Sequence, residues 1–200
     1  MGKLILIRHG ESELNTENIF FGQLDPELTK KGRKQALNTS KTMKKIEYSK
    51  IYTSPLKRAF ETAKIINIKG LQLKKEDKLK ELNFGILEGM SYDEVLKKYP
   101  EDEKEWRNNW KTYNYRTGES VEELQKRAIE FIETLDFKDE NIVVVSHFGV
   151  INCILSYYFS GGLEGYWKFS PNYAGIIVIE FTNNYPVLKG MNIGEINELI

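Results

Sequence analysis

The sequence predicts an α/β protein, specifically a three-layer α/β/α sandwich with a mostly parallel central sheet and a helical lid insertion. Short apolar segments typical of buried strands alternate along the chain with longer segments of helical periodicity. Serine residues in N-capping patterns precede three of the helical segments. Hydrophobic residues form 40% of the 200 residues and charged residues 29%, a balance that indicates a globular chain.

Six segments are predicted to form strands. Residues 3–7 are a short run rich in Ile and Leu, and residues 141–145 give the strongest signal because they are almost entirely apolar and β-branched. The last two segments are expected to form a hairpin that turns at Asn183 and Asn184. The predicted strands are residues 3–7, 49–53, 71–73, 141–145, 175–181 and 186–188.

Five helices are predicted between these strands. Ser54 and Pro55 indicate an N-cap followed by proline at the first helical position. Ser91 and Ser120 each begin a capping box, with glutamate three residues later. The predicted helices are residues 29–46, 55–66, 121–135 and 149–159, together with one that starts after Ser91.

One region differs from the rest of the chain, which is otherwise expected to form a single domain over residues 1–200. Residues 90–118 are rich in Tyr, Trp, Lys and Glu and have the composition of a surface excursion. We interpret this region, at about residues 88–120, as a lid-like insertion that covers one rim of the sheet. Its central aromatic residues are Trp106, Trp110, Tyr113 and Tyr115.

Bulk composition narrows the possible classes of function. Lys+Arg and Asp+Glu both number 29, so the charge pattern predicts binding neither to nucleic acid nor to a membrane surface. Cys153 is the single cysteine, which excludes an intramolecular disulfide and fits a reducing compartment. The apolar run at residues 4–7 is too short for a signal peptide or a spanning helix. We therefore predict a soluble, cytoplasmic protein.

The two histidines occupy equivalent positions in the predicted fold. His9 directly follows the first strand, and His147 directly follows the strongest one. The carboxyl ends of parallel strands meet at one rim of a sheet, where ligands bind. A lone histidine is usually a structural residue, but two at the same kind of position predict that their side chains meet.

Two arginines near strand ends indicate an anion site. Arg58 falls in the first turn after Ser54 and Pro55, where a helix N-terminus favours anions and a guanidinium matches phosphate oxygens. A solvated surface arginine is the alternative at this position. Arg8 continues a buried apolar strand, and a buried charge needs a partner, which a bound anion would provide.

Three further polar residues are candidates for the same site. Glu81 lies between apolar residues and is either an ordinary loop carboxylate or a general acid whose proton affinity is raised by apolar surroundings. Ser12 and Asn15 lie in the loop after His9. They could donate hydrogen bonds to a phosphate or cap the short helix there.

Residues 8–12 (RHGES) resemble the signature of the histidine phosphatase superfamily, which includes the cofactor-dependent phosphoglycerate mutases. Further blocks follow in the order of that family, so the resemblance extends over about residues 3–149. Five ordered blocks are a much more specific signal than the RHG tripeptide alone. After Asn15, the further blocks are residues 28–32 (LTKKG), 53–59 (TSPLKRA), 81–85 (ELNFG) and 146–149 (SHFG).

The resemblance implies a phosphatase in which His9 attacks phosphorus and becomes a phosphohistidine. Arg8, Arg58 and His147 would bind the phosphoryl oxygens and stabilise their charge in the transition state. Glu81 would protonate the leaving oxygen and then activate the water that cleaves the phosphohistidine. No metal and no cofactor is implied. The residues assigned to substrate binding are Asn15, Ser12, Gly22, Gln23, Trp106 and Arg107.

The residues after Glu81 separate this chain from the mutases it resembles. In those enzymes Arg and His follow the catalytic glutamate and hold a second phosphate or carboxylate, whereas residues 82–84 here are uncharged. Residues 81–89, 106–110 and 166–169 are similar to the pattern of alpha-ribazole phosphatases, and the first of these blocks also to broad-specificity phosphatases. Their aromatic side chains suit stacking on a flat base, although packing of the lid is the alternative interpretation.

Three functions remain open on the sequence. The first is hydrolysis of alpha-ribazole 5′-phosphate in cobalamin biosynthesis. The second is hydrolysis of another small ester, by a broad-specificity or sugar-phosphate phosphatase that could act on fructose 2,6-bisphosphate; mutase activity is disfavoured. The third is an inactive phosphate-binding module, against which the retention of His9, His147 and Glu81 argues. The expected partner is a small-molecule phosphate ester, and both a monomer and a homodimer are compatible with the sequence.

Overall fold

A six-stranded sheet forms the centre of the molecule, which we describe from a computed structural model over residues 2–183 and 185–193. The strand order is β3-β2-β4-β1-β5-β6; the first four strands pair in parallel, and β5 and β6 are added by antiparallel pairing. The predicted mostly parallel sheet is thus confirmed. The strands are β1 (Gly2–Arg8), β2 (Lys50–Thr53), β3 (Leu73–Lys75), β4 (Asn141–Ser146), β5 (Ile176–Thr182) and β6 (Tyr185–Ile193).

Helices cover both faces of this sheet because its central strands are apolar on both sides. In β1, Leu4 and Leu6 belong to the core on one face, and Ile5 and Ile7 belong to the core on the other. Helices α5 and α6 pack on the first face and α1 and α2 on the second, which gives the three layers. Within the described ranges the helices are α1 (Lys30–Met43), α2 (Lys57–Ile66), α3 (Tyr92–Lys98), α4 (Pro100–Asn109), α5 (Val121–Ile132) and α6 (Phe148–Ser160).

The predicted helix starts are confirmed where a side-chain cap sets them. The Thr29 hydroxyl accepts a hydrogen bond from the backbone N–H of Gly32 at the start of α1. Ser91 and Ser120 form complete capping boxes at the starts of α3 and α5. These caps satisfy backbone N–H groups that have no partner inside the helix.

Helices α1 and α5 each end three residues earlier than predicted, and β6 runs five residues further. Two elements also start two residues later than predicted. Helix α2 begins at Lys57 rather than Pro55, because the backbone of Leu56 is still extended, with its N–H bonded to the Ser54 hydroxyl. Strand β3 begins two residues late, because the side chain of Asn67 bonds both backbone groups of Leu71 and holds that residue in a turn. The predicted hairpin turn includes Asn184, which lies outside the described residues.

The lid region contains α3 and α4 and is attached to the loop after β1. Phe20 exchanges backbone hydrogen bonds with Gly89 and Met90 at the base of the lid. The Trp106 ring from α4 packs edge-on against Phe20, with 5.8 Å between the ring centroids. The lid thereby supports a segment that lines the cavity described below. None of the helices in the described part of the chain has the length and apolarity needed to cross a membrane.

Candidate active site

A cavity of about 300 Å³ opens at the carboxyl ends of β1 and β4. The backbone N–H of His9 donates to the carbonyl of Ser146 at 2.9 Å, which joins the two strand ends directly. The imidazole rings of His9 and His147 lie side by side, with centroids 5.1 Å apart, so the predicted meeting of the two histidines is confirmed. The polar part of the cavity wall is formed by Arg8, His9, Asn15, Arg58 and Glu81.

The ring of His9 is held in one tautomer by its own loop. Its Nδ1 lies 2.7 Å from the carbonyl oxygen of Gly10, which can only accept a hydrogen bond, so Nδ1 carries the proton and Nε2 keeps its lone pair. His9 is only 3% exposed. Burial lowers its pKa well below the ordinary value, and the charges of Arg58 and Arg8 lower it further. His9 is therefore a neutral imidazole with a basic nitrogen available at neutral pH.

His147 is buried completely and is oriented by a serine. Its Nε2 lies 2.8 Å from the hydroxyl of Ser54, at the end of β2. Burial lowers the pKa of His147 well below the ordinary value, with the charge of Arg58 as the second cause. Sequence reasoning assigned Ser54 to helix capping and missed this role, since the two residues are 93 positions apart.

We expect both histidines to make the protein sensitive to acid. The unfolded chain binds a proton on each histidine below a pKa of about 6.5, whereas the folded protein, in which both pKa values are depressed, does not. The free energy of unfolding therefore keeps its full value above that pH. Below it, the free energy of unfolding falls by about 1.4 kcal/mol per pH unit for each histidine. Urea unfolding between about pH 7.5 and about pH 5.5 should show this slope.

A His147→Asn variant provides the control for this measurement, because it retains only one of the two buried imidazoles. It should lose about half of the slope over the same pH range. A free energy of unfolding that stays constant from about pH 7 to about pH 5.5 would contradict the burial of neutral imidazoles.

Arg58 is held from behind by two carbonyl groups. Its Nη1 donates to the carbonyl of Leu24 at 2.8 Å and its Nη2 to that of Gly22 at 2.5 Å. Burial lowers the pKa of Arg58 to about 10, so the guanidinium keeps its charge at neutral pH. These two hydrogen bonds fix the plane of the Arg58 guanidinium, and the side chain still lines the cavity.

Arg8 is fixed by a carbonyl group and two aromatic rings. Its Nη1 donates to the carbonyl of Pro171 at 2.9 Å. Its guanidinium carbon lies 3.9 Å from the ring centroid of Tyr173 and 5.2 Å from that of Phe148. Burial lowers the pKa of Arg8, although Tyr173 and Glu81 partly offset this effect. Cation–π contacts thus hold in place a charge that burial alone would destabilise.

Three buried side-chain nitrogen atoms at this site have no hydrogen-bond partner within the described part of the protein. They are Nε of Arg8, Nε of Arg58 and Nδ1 of His147. Unpaired buried donors are costly, and both guanidinium groups line the cavity beside His9. Such a cluster next to a neutral imidazole nitrogen is suited to bind an anion whose central atom that nitrogen can attack.

The Glu81 carboxylate is the acidic group on the cavity wall. It accepts hydrogen bonds from the N–H groups of Leu82 at 3.0 Å and Gly149 at 3.1 Å. A Cβ atom at Gly149 would lie 2.4 Å from Glu81 Oε1, so a side chain at this position would displace the carboxylate. The backbone carbonyl of Glu81 accepts further bonds from Arg127 and Gln23. The carboxylate is thus pre-positioned by backbone groups on either side.

The structure separates the predicted substrate-binding residues into two groups. Asn15 lines the cavity; its side-chain oxygen accepts two hydrogen bonds from Ser12, which leaves the amide nitrogen as a donor. Ser12, Gly22 and Gln23 lie behind the wall. Ser12 donates to the side chain of Asn15. The carbonyl of Gly22 accepts from Arg58, and the side chain of Gln23 donates to the carbonyl of Glu81.

Trp106 and Arg107 are not brought to the cavity wall. The Trp106 ring is partly buried against Phe20 and Tyr115, where an apolar ring is removed from water. The Arg107 side chain is exposed and pairs with Glu103, one turn earlier in α4. The aromatic residues of the wall come from other segments and are Phe20, Phe21, Phe84, Phe148, Tyr166 and Trp167.

The described residues contain no group of three or more His, Cys, Asp and Glu side chains that could hold a metal ion. The single cysteine of the chain, Cys153, is buried in the core on the α6 side of the sheet, and burial raises the pKa of its thiol well above the ordinary value. The titratable groups that line the cavity are the imidazole of His9, the carboxylate of Glu81 and the guanidinium groups of Arg8 and Arg58, together with the phenol of Tyr166.

Comparison with known proteins identifies the family. The family model of the histidine phosphatase superfamily (branch 1) matches residues 4–194. The chain is 34% identical over 196 residues to phosphoserine phosphatase 1 of Hydrogenobacter thermophilus, covering 96% of this chain and 93% of that protein. Its fold superimposes on an alpha-ribazole phosphatase from Shigella flexneri with a TM-score of 0.88 and 26% identity, over 95% of this chain and 96% of that one. A phosphoserine phosphatase from Entamoeba histolytica, in complex with 3-phosphoglyceric acid, gives a TM-score of 0.83 and 31% identity over 96% and 97%. The chain therefore belongs to branch 1 of the histidine phosphatase superfamily and is a phosphatase.

Proposed function

We propose that this phosphatase hydrolyses a phosphate monoester through a phosphohistidine on Nε2 of His9, with alpha-ribazole 5′-phosphate as the substrate. The observation that carries the proposed chemistry is an unprotonated Nε2 of His9 beside the buried Nε donors of Arg8 and Arg58, which have no partner among the described residues. An ester phosphate brings negatively charged oxygens to those donors and its phosphorus to the nucleophile.

In the first step, the lone pair of His9 Nε2 forms a bond to phosphorus as the bond from phosphorus to the ester oxygen breaks. Glu81, in its protonated form, transfers its proton to that oxygen, and the alcohol leaves. Arg8 and Arg58 stabilise the charge on the equatorial oxygens. The hydrogen bond from His9 Nδ1 to the Gly10 carbonyl supports the ring as it becomes a positively charged phosphoimidazole.

In the second step, the Glu81 carboxylate accepts a proton from a water molecule whose oxygen bonds to phosphorus. The bond between phosphorus and Nε2 breaks, its electron pair returns to His9, and inorganic phosphate is released. Glu81 again carries the proton needed for the next turnover. His147 contributes through Nδ1–H if the Ser54 hydroxyl donates to Nε2, a tautomer that the 2.8 Å contact permits.

The rest of the cavity supports an uncharged, aromatic leaving group. Of the described residues that line it, Arg8 and Arg58 are the cations, and both are assigned to the transferred phosphoryl group. Trp167 is 64% exposed at the mouth, in edge contact with Tyr166, and offers a face for a flat ring. Phosphoserine, 3-phosphoglycerate and fructose 2,6-bisphosphate all carry a second anionic group, which these walls would leave unpaired.

We expect alpha-ribazole 5′-phosphate to be preferred in a panel of esters. Its kcat/KM should exceed those of phosphoserine, 3-phosphoglycerate and fructose 2,6-bisphosphate by about a hundredfold, roughly 2.7 kcal/mol of differential transition-state binding. Trp167→Ala should lower the value for alpha-ribazole 5′-phosphate by about tenfold, because the stacking surface is lost, and should leave the other esters nearly unchanged.

A flat profile across the panel would instead support a broad-specificity phosphatase, and a preference for an ester with a second anionic group would contradict the assigned leaving group. We further propose that the enzyme acts in the cytoplasm, in cobalamin biosynthesis, on this small-molecule ester as a monomer or homodimer. The buried free thiol of Cys153 is compatible with a reducing compartment.

A further inference from the structure

One carboxylate outside the cavity wall, that of Glu88, accepts hydrogen bonds from three successive backbone N–H groups of the loop at residues 22–24. Glu88 accepts hydrogen bonds from the backbone N–H of Gly22 at 3.0 Å, Gln23 at 2.9 Å and Leu24 at 3.0 Å. It also accepts the N–H of Phe84 at 3.2 Å. A carboxylate with four backbone donors is a rigid anchor, because charge-assisted hydrogen bonds are stronger than neutral ones.

The same loop holds Arg58 on its opposite side. The carbonyls of Gly22 and Leu24 are the two acceptors that fix the Arg58 guanidinium. The loop therefore links Glu88, through its N–H groups, to Arg58, through its C=O groups. Any displacement of residues 22–24 moves both acceptors of the guanidinium together.

The loop has little freedom to find another position. A Cβ atom at Gly22 would lie 1.5 Å from the carbonyl oxygen of Leu82 and 3.0 Å from Glu88 Oε1. The backbone of Gly22 is thus confined between the segment that follows Glu81 and the Glu88 carboxylate. Glycine is required at this position because only a residue without a side chain fits there.

Glu88 also acts on Arg58 through its charge. Burial lowers the pKa of Arg58, and the carboxylates of Glu81, Asp25 and Glu88 raise it again in part. Glu88 therefore contributes both geometry and countercharge to a buried cation.

We propose that Glu88 is a positioning residue of the phosphatase site, which aligns the Arg58 fork with the phosphoryl group through residues 22–24. Glu88 does not itself line the cavity. The inference rests on the proposed function, since it takes Arg58 as a ligand of the transferred group. It extends that function by a residue that touches neither substrate nor nucleophile.

The test is Glu88→Gln, which keeps the size of the side chain but replaces one accepting oxygen by an NH₂ group that faces N–H donors. We expect kcat to fall by about tenfold to a hundredfold, less than for loss of a direct phosphoryl ligand. The dissociation constant for inorganic phosphate, measured by calorimetry, should rise by about tenfold. Glu88→Asp, which keeps the charge, should fall between Gln and wild type and serves if the Gln variant does not fold.

Glu94→Gln is the matched control. Glu94 also accepts backbone and side-chain hydrogen bonds, from Ser91 in the capping box of α3, but it lies in the lid away from Arg58. This variant should lose some thermal stability and keep its kcat and phosphate affinity within about twofold. The control therefore distinguishes a general loss of stability from a loss of alignment of the Arg58 guanidinium.

A double-mutant cycle with Arg58→Ala completes the test. If Glu88 acts through Arg58, Glu88→Gln should cause almost no further loss in the Arg58→Ala background. Equal losses in both backgrounds, or normal kcat and phosphate affinity in Glu88→Gln, would overturn the inference and leave the proposed function intact. Absence of turnover and phosphate binding in the wild-type enzyme would instead contradict the proposed function itself.

Discussion

Replacing His9 by alanine is expected to lower kcat by about 10⁵-fold or more, the size of effect seen when a covalent nucleophile is removed. The physical reason is that Nε2 of His9 forms the covalent intermediate, and no neighbouring group can take its place. The Nε2 atom of His147, the other imidazole, is hydrogen-bonded to the hydroxyl of Ser54. Steady-state kinetics on a generic aryl phosphate measures the effect, with substrate binding checked separately by calorimetry.

Trapping the intermediate distinguishes this mechanism from direct attack of water. Wild-type enzyme mixed with a phosphate-labelled ester and quenched in alkali, where phosphoimidazoles survive, should carry the label on His9. His147→Asn should still be labelled, although more slowly, whereas His9→Ala should carry no label. A His9→Ala variant that kept more than about one hundredth of the wild-type kcat would rule out the covalent route.

Replacing Glu81 by glutamine is expected to lower kcat on an alkyl phosphate by about 10²-fold to 10⁴-fold, the usual contribution of a general acid and base. The N–H groups of Leu82 and Gly149 bond different oxygens of the carboxylate, so the amide keeps one of these two hydrogen bonds while the proton is lost. The effect should depend on the leaving group. An aryl phosphate needs little protonation in the first step, so its phosphohistidine should form quickly and then accumulate.

Rapid mixing with an aryl phosphate should therefore show a burst of phenol release followed by slow turnover in Glu81→Gln. Glu13→Gln is a suitable control, because Glu13 is an exposed carboxylate in the loop after His9 and lies outside the cavity wall. Its kinetics should match the wild type. If Glu81→Gln hydrolysed alkyl and aryl phosphates at the wild-type rate, Glu81 would not be the group that transfers the proton.

Much of this arrangement was predictable from the sequence for local physical reasons. The apolar runs predicted β1 and β4, and the capping boxes at Ser91 and Ser120 marked the starts of α3 and α5. The position of His9 and His147 directly after parallel strands predicted that they meet, because such strands end at one rim. These inferences need only hydrophobic period, caps and strand direction, all of which are encoded within a few neighbouring residues.

Contacts between distant segments were decided only by the tertiary structure. Glu88 holds the N–H groups of residues 22–24 across 64 to 66 positions of chain, and Ser54 orients His147 across 93. The sequence predicted Trp106 to contact the substrate, yet its ring packs against Phe20. The tryptophan that lines the cavity is Trp167. Hydrogen bonds of this kind depend on how loops fold back onto the sheet, and no periodicity or local motif records that path.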